Sequence, residues 1–227
     1  MQVAVQQTTE LTTVGEERLG FPVHPWWSYP TGLKRVLDLS VAAVFLVCSL
    51  PIWLLIAIAI KIDSPGPVFF VQERVGLKGR RFRFYKFRSM RVGADRARAE
   101  VQHLNEVSGP VFKVRRDPRI TRIGRLLRRT SLDELPQLVN VIRGEMSVVG
   151  PRPPIPEEVA QYRPSDMVRL GVKPGLTCWW QVRGRSNCDF DTWMAYDREY
   201  VYGVSLRVDV VILVRTTWAV LSCRGAY

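Results

Sequence analysis

LSVAAVFLVCSLPIWLLIAIAI, residues 39–60, is a stretch without a charged side chain, interrupted once by Pro51. As a helix rising ~1.5 Å per residue it would reach ~33 Å, about the thickness of the hydrocarbon layer of a bilayer. The sequence therefore predicts a membrane helix near the N-terminus. With 227 residues, 47% of them hydrophobic and 24% charged, the chain suits one globular domain attached to that helix.

Pro51 lies in the middle of this stretch and leaves its topology open. Proline removes a backbone donor and clashes with the carbonyl four residues earlier, and Ser49 can bond to a preceding carbonyl and increase the bend. A strong kink would return the chain to the face from which it entered, but proline kinks also occur in helices that cross. Lys34 and Arg35 precede the stretch and Lys61 follows it, so the flanking charges do not specify a crossing.

The net charge of +12 is concentrated in one region. Residues 72–129 contain 18 lysines and arginines and 5 acidic residues, a net charge of +13 that accounts for the whole excess. A basic block beside an apolar stretch suits anionic lipid headgroups, and it suits the phosphates of a nucleotide or a nucleic acid equally well. The composition indicates an anionic partner without choosing among these.

Several common classes of site are disfavoured by the composition. The chain has neither a G-x-x-x-x-G-K-[ST] nor a G-x-G-x-x-G motif. Its two histidines and four cysteines, none of them in a C-x-x-C pair, argue against zinc and indicate free thiols in a reducing compartment. Residues 1–30 lack the basic and apolar regions of a signal peptide, and we expect them to be a mobile tail.

The pattern after the breaker cluster at residues 64–67 predicts a domain that is α/β, mainly α. Strands are predicted at residues 68–72 and 81–87, the second alternating basic and aromatic side chains. Helices are predicted at residues 96–107, 121–129, 132–142, 156–170, 193–202 and 206–223. The helix at 121–129 is amphipathic, with Arg122, Arg125, Arg128 and Arg129 opposite isoleucines and leucines. Such a helix suits a membrane surface as well as a solvated face over a small core.

Asp133 and Glu134 are the strongest candidates for chemistry, because four arginines lie in the eight-residue segment 122–129 shortly before them. Ser131 and Glu134 also have the spacing of a capping box, which would give the acids a structural role at a helix start. Pro136 would interrupt the first turns of that helix. Carboxylates among cations are expected to keep low pKa values and stay ionised, as a nucleophile or a Mg²⁺ ligand requires, and a carboxylate can attack phosphorus.

An ordered series of short motifs covers the chain from about residue 31 to residue 227. The motifs are KRVLD (34–38), GPVFF (66–70), QERVG (72–76), YKFRSM (85–90), SLDELPQ (131–137), GPRP (150–153), KPGLT (173–177) and RGAY (224–227). The series resembles the bacterial sugar transferase family, the monotopic polyprenol-phosphate phosphoglycosyl transferases. Each motif is weak alone, whereas the series in this order is highly specific.

The resemblance implies an enzyme that transfers a sugar-1-phosphate from a UDP-sugar to undecaprenyl phosphate and releases UMP, the first membrane step of exopolysaccharide or related glycan synthesis. It implies that Asp133 is the nucleophile and forms a covalent aspartyl-phospho-sugar. Glu134 would hold Mg²⁺. Arg128 and Arg152 would bind phosphate, which the planar guanidinium suits because it binds oxygens bidentately.

The resemblance also implies an organisation. A tail at residues 1–30 would precede a re-entrant membrane helix at 31–63, and residues 64–227 would form the catalytic domain, with amphipathic interfacial helices, on the cytoplasmic face of the inner membrane. The implied partners are the UDP-sugar, undecaprenyl phosphate and membrane lipids, with no nucleic acid; a homodimer is a further expectation.

One segment departs from the family pattern. Relatives often have Gly-Trp-Ala-Gln-Val-Asn-Gly-Arg where this chain has CWWQVRGR, residues 178–185. Gln181 and Arg185 match and are candidates for nucleotide or sugar contacts, whereas Cys178, Trp180 and Arg183 do not match. The choice of donor is therefore open. The segment is a candidate wall for the nucleotide or sugar, and its tryptophans are otherwise explained by interfacial packing.

Two further questions stay open at the level of sequence. Asp197 matches an acidic residue of the family and has either a role in the site or a structural role beside an arginine. A membrane-anchored nucleic-acid or phosphate binding protein without catalysis is the alternative function, because the basic and aromatic residues 81–91 would suit phosphates. The apolar residues 39–60 argue against a soluble binder, and the pair Asp133–Glu134 argues against a protein without catalysis.

Overall fold

The computed structural model describes residue 29 and residues 32–106, 109–112, 114, 116–183 and 188–221. Its helices are α1 (Leu33–Asp63), α2 (Arg122–Thr130), α3 (Gln137–Arg143), α4 (Pro156–Val159), α5 (Trp179–Arg183), α6 (Phe190–Gly203) and α7 (Leu206–Leu221). Its strands are β1 (Phe69–Val75), β2 (Arg81–Phe87), β3 (Ser147–Val149) and β4 (Gly175–Thr177). Short 3-10 helices lie at Leu77–Gly79, Arg96–Leu104, Leu132–Glu134 and Pro164–Gly171. The described part is mostly helical, as the sequence predicts.

Helix α1 is 31 residues long and includes Pro51. By length and composition it is apolar enough to cross a membrane. Ser49 donates a hydrogen bond to the carbonyl of Leu46 (3.1 Å), the backbone contact expected of a serine near the proline. The indole of Trp53 in turn donates to the Ser49 hydroxyl (3.0 Å). These contacts give the Pro51 region polar partners within the helix.

The N-terminal end of α1 is fixed to the domain by charged side chains. Lys34 forms a buried ion pair with Asp209 of α7. Arg35 donates to the carbonyls of Val141 (2.6 Å) and Ile142 (2.9 Å) at the end of α3. Because the last carbonyls of a helix have no partner within it, the guanidinium both caps α3 and attaches α1 to it.

The C-terminal end of α1 contacts the same domain through apolar side chains. Ile56 and Ile60 are buried against Phe87 of β2 and Leu127 of α2. Asp63, the last residue of the helix, accepts a hydrogen bond from the backbone amide of Ile123 (2.9 Å). Both ends of α1 therefore lie on one domain, and its other face exposes apolar side chains such as Val44, Phe45, Leu54 and Leu55.

The described strands form two sheets of two strands each. β1 and β2 make an antiparallel hairpin whose register runs from Phe69 opposite Phe87 to Val75 opposite Arg81. β3 and β4 pair in parallel, with Ser147 opposite Gly175. A core of buried residues joins β2, β3, α3, α6 and α7 to the N-terminal half of α1; it includes Ala42, Phe84, Val141, Met146, Val149, Trp179, Tyr200 and Ile212.

The predicted helix at residues 156–170 is wrong. Helix α4 ends at Val159, and a separate 3-10 helix covers Pro164–Gly171. Arg163, directly before Pro164, has extended backbone angles (φ −70°, ψ 155°), because the proline ring disfavours a helical conformation in the preceding residue. The carboxylate of Asp166 accepts a hydrogen bond from the backbone amide of Arg163 (3.3 Å) at the start of this 3-10 helix. The spacing of apolar residues in the sequence continues across this break, which is why one helix was predicted.

We predict that Lys34→Met lowers the free energy of unfolding by about 3 kcal/mol, because Asp209 then keeps a buried charge without its cation. Lys61→Met is the matched control, since Lys61 is exposed at the other end of the same helix. Denaturation of the two purified variants in detergent micelles measures the effect. Adding Asp209→Asn to Lys34→Met should recover part of the loss. Equal stability of the two single variants would contradict the prediction.

Candidate functional site

A cleft of about 740 Å³ lies where β1, β2, α2, α5 and α6 meet. Asp133, Glu134, Arg128, Arg152 and Gln181, all predicted from the sequence, line this one cleft. Its volume is in the range typical of small-molecule sites. The structure thus brings together residues that lie up to 53 positions apart in the chain, counting from Arg128 to Gln181.

Asp133 and Glu134 lie on a single 3-10 turn, Leu132–Glu134, between α2 and α3. Ser131 adopts a left-handed backbone conformation (φ 58°), and its amide bonds to the last carbonyls of α2. Its side chain makes no capping hydrogen bond, so the capping box considered from the sequence is not formed. A positive φ is uncommon for a residue with a side chain, and here it turns the acid pair toward the cleft.

Lys86 connects the two carboxylates. Its ammonium donates to Oε1 of Glu134 (2.7 Å) and lies 3.7 Å from Oδ2 of Asp133. No role was predicted for Lys86 from the sequence. A signal was present, because the alternation of a strand places Lys86 on the same face as the buried Phe82 and Phe84. A lysine at an inward position of a half-buried strand needs an anionic partner.

The environment shifts the pKa values of the two acids in opposite directions. Burial raises the pKa of Asp133, and the nearby Lys86 only partly offsets this effect. For Glu134, burial also favours the neutral acid, but Lys86, Arg152 and hydrogen bonds outweigh it, so the pKa is lowered. The expectation of low pKa values for both acids is therefore wrong for Asp133, because desolvation by burial outweighs the effect of the nearby cations on this carboxyl.

Arg128 reaches the cleft because α2 packs closely on the segment after β2. A side chain on Gly124 would place its Cβ 1.9 Å from the carbonyl oxygen of Ser89, so only glycine permits this approach. The Nε of Arg128 donates to the Ser89 hydroxyl (2.9 Å). Arg128 lines the cleft, whereas Leu126 on the apolar side of the same helix is exposed.

Arg152 is held by the turn that follows β3. Gly150 and Gly175 approach so closely that a Cβ on Gly175 would lie 2.1 Å from the Gly150 nitrogen. The carbonyl of Arg152 accepts from Nη2 of Arg169 (2.8 Å), which fixes the backbone. The side chain lines the cleft and lies near enough to both acids to influence their pKa values.

Three further site residues were predicted from the sequence: Gln181, Asp197 and Arg185. Gln181 lines the cleft and accepts a hydrogen bond from the Cys178 thiol (3.4 Å). Asp197 does not line it; it is buried in an ion pair with Arg169 (2.8 Å), the structural arrangement that the sequence left open, and burial raises its pKa to about 6. A role for Asp197 in the reaction stays a prediction. Arg185 lies outside the described residues.

The acid pair fits a magnesium ion by its donor set. Magnesium is commonly held by one or two carboxylates together with substrate phosphates and water. Asp133 and Glu134 supply such carboxylates in the cleft that Arg128 and Arg152 also line. Among the described residues there is no group of three or more His, Cys, Asp or Glu side chains placed to hold a metal by themselves. A metal here would depend on oxygen atoms of a substrate.

This chain is similar to a known protein family and to several known proteins. The family described as "Bacterial sugar transferase" matches residues 29–223. The exopolysaccharide production protein ExoY of Rhizobium meliloti is 41% identical over 198 residues, which are 86% of this chain and 88% of ExoY. The galactosyl transferase CpsE of Streptococcus agalactiae is 44% identical over 195 residues, 85% of this chain and 43% of CpsE.

A further relative carries a name that specifies a reaction. The UDP-glucose:undecaprenyl-phosphate glucose-1-phosphate transferase of Escherichia coli is 38% identical over 225 residues, 93% of this chain and 46% of that protein. The chain thus spans less than half of CpsE and of the E. coli protein, and most of ExoY. The resemblance and the enzyme class predicted from the motifs are confirmed at the level of the family: this chain belongs to the bacterial sugar transferase family.

Proposed function

We propose that this protein transfers a sugar-1-phosphate from a UDP-sugar to undecaprenyl phosphate, giving undecaprenyl-diphospho-sugar and UMP. The observation that carries this proposal is the convergence of Asp133, Glu134, Lys86, Arg128 and Arg152 on one cleft. Relatives named for this type of reaction, with galactose in Salmonella typhimurium and glucose in Escherichia coli, support it.

The reaction proceeds in two displacements at the phosphorus that carries the sugar. A carboxylate oxygen of Asp133 attacks this phosphorus, and the bond to the bridging oxygen breaks, so that UMP leaves with the electron pair. The product is an aspartyl-phospho-sugar. A phosphate oxygen of undecaprenyl phosphate then attacks the same phosphorus and releases the Asp133 carboxylate.

The cations of the cleft stabilise the charge that develops during transfer. Arg128 and Arg152 bind phosphate oxygens, and a guanidinium does so bidentately. Lys86 keeps Glu134 ionised in the free enzyme through its 2.7 Å contact. Glu134, with Asp133 beside it, would hold Mg²⁺, which when bound neutralises charge on the diphosphate and the leaving UMP.

The alternative function, a nucleic-acid binder, is weakened by where β2 places its aromatic side chains. Binding of single strands needs exposed rings on which bases stack. Phe82, Phe84 and Phe87 are instead buried, at 9%, 3% and 1% exposure. The basic and aromatic pattern of residues 81–91 therefore builds the wall of the cleft and the core behind it.

We predict that Asp133→Asn lowers UMP release at least roughly a thousandfold while the protein still folds and binds membrane, because an amide cannot form the covalent intermediate. UMP release from UDP-sugars with undecaprenyl phosphate measures this. Intact-protein mass spectrometry without the acceptor should show one added sugar phosphate in the natural protein and none in the variant. Asp191→Asn is the control, since Asp191 is an exposed acid paired with Arg163. Substantial UMP release by folded Asp133→Asn would refute the assignment.

We predict that activity depends on Mg²⁺ through Glu134. Excess chelator should abolish UMP release, and added Mg²⁺ should restore it. Glu134→Gln should raise the Mg²⁺ concentration needed for half-maximal activity, because an amide oxygen is a weaker ligand than a carboxylate. Glu199→Gln, a change at an acid that pairs with Arg183 on the surface, should leave this concentration unchanged. Full activity in chelator would rule the proposal out.

We further propose that α1 is re-entrant and that the domain lies on the cytoplasmic face of the inner membrane. The support is the attachment of both helix ends to one domain, through Lys34 at one end and Ile60 at the other. A helix that crossed the bilayer would separate these ends by the membrane thickness. The exposed apolar face of α1 would then enter the lipid from one side.

This topology predicts a specific labelling pattern. In a background without the native cysteines, Thr12→Cys in the tail and Ser165→Cys on the domain should both resist an impermeant thiol reagent in intact cells. Both should react after permeabilisation. Pro51→Leu should increase labelling at residue 12, since a straight helix of this length can cross. Labelling of the tail position alone in intact cells of the unchanged helix would show a crossing and refute re-entry.

A further inference from the structure

Two tryptophans form an aromatic wall in the same cleft as the acid pair. Trp180 lies on α5 and Trp193 on α6, and both line the cleft. Their ring centroids are 4.6 Å apart at an interplanar angle of 43°. We refer to this pair as the indole wall. The reaction at Asp133 makes no use of it.

The indole wall is held rigidly from behind. The guanidinium of Arg169 lies 5.5 Å from the centre of the Trp193 ring, and it is itself buried and paired with Asp197. The N-terminus of α6 is fixed by Asp189, whose carboxylate accepts the Thr192 amide (2.8 Å). A wall supported in this way favours one shape of ligand over others, because little of it can adapt.

The indole wall has the wrong chemistry for phosphate and the right chemistry for an uncharged ring. The cations at the acid pair already serve the phosphates, whereas an indole face packs against the C–H face of a sugar or against a planar base. A UDP-sugar, the donor under the proposed function, offers both groups, the uracil and the pyranose. An indole face suits both the uracil and the pyranose, and the sequence distinguishes between these two groups.

The sequence favours the sugar. By the resemblance described above, relatives often have alanine where this chain has Trp180, whereas Trp179 and Gln181 match. The names of relatives specify different sugars, galactose in one and glucose in another, while both names specify undecaprenyl phosphate. A side chain that departs from the family pattern is suited to the part of the donor that differs between these names.

We propose that Trp180, supported by Trp193, contacts the pyranose of the donor and determines which UDP-sugar this enzyme accepts. The ligand class is a neutral hexopyranose that presents a C–H face to the indole. The inference rests on the proposed function and adds the residue that selects the donor. Gln181 next to it keeps the family identity and is not needed for this choice.

Trp180→Ala tests the proposal. For a panel of UDP-hexoses and UDP-N-acetylhexosamines, the ratio of kcat/KM between the best and the other donors should change about tenfold, the scale of a lost apolar contact. Inhibition by UMP, which has no sugar, should keep its constant, and the KM for undecaprenyl phosphate should not change. Trp180→Phe, which keeps an aromatic face, should retain most of the selectivity. Trp180→Leu, which keeps an apolar side chain but removes the aromatic face, should change the donor ratio and replaces Trp180→Ala if that variant does not fold.

Trp218→Ala is the matched control, because Trp218 is 71% exposed on α7 and does not line the cleft. An unchanged donor ratio in Trp180→Ala would overturn the inference. Weaker inhibition by UMP, together with an equal loss of kcat/KM for all donors, would also overturn it, because that result would place the uracil on the indole wall.

Dissociation constants of UDP-sugars from calorimetry test the indole wall without turnover. If the natural protein binds UDP-sugars but releases no UMP, the proposed function fails while the ratio of dissociation constants still decides this inference.

Discussion

The buried contacts between α1 and the domain are the constraint on which the rest of the structure depends. Asp209 is fully buried and is neutralised by Lys34, and it also accepts hydrogen bonds from the hydroxyls of Tyr29 (2.6 Å) and Tyr200 (2.8 Å). One turn after Lys34, Asp38 accepts from the Ser147 hydroxyl and the Val148 amide, both at 2.9 Å. Buried charges are tolerated only when such partners satisfy them, so these groups fix α1 in one position.

This constraint extends to the active cleft through β3. Asp38 binds the first two residues of β3, and the hydroxyl oxygen of Tyr200 lies 2.9 Å from the carbonyl oxygen of its last residue, Val149. Gly150 and Arg152 follow directly, and on the far side Arg169 holds the Arg152 carbonyl. Arg152 is thus placed by the apolar helix α1 on one side and by the buried pair Arg169–Asp197 on the other. The hydrogen bonds that hold α1 on the domain therefore also position a residue of the cleft.

Much of the fold could be predicted because it follows from local patterns. The strand at residues 81–87 agrees with β2, and the starts of α2 and α7 fall within a residue of the prediction. Where prediction failed, a contact distant in sequence or a local break decided the outcome. Pro164 divided the expected helix at residues 156–170. Lys86 was missed because its partners lie about fifty residues away.

The sequence by itself determined the long apolar helix, the acid pair and the family, because a stretch without charged side chains and an ordered series of motifs are properties of the chain alone. Only the tertiary structure decided which cations surround Asp133, that Asp197 pairs with Arg169, and that Trp180 and Trp193 meet in the cleft. The physical reason is that charge, burial and ring stacking act between atoms close in space. A linear pattern records which side chains are present, whereas the packing of α1, β2, α2 and α6 sets the distances between them.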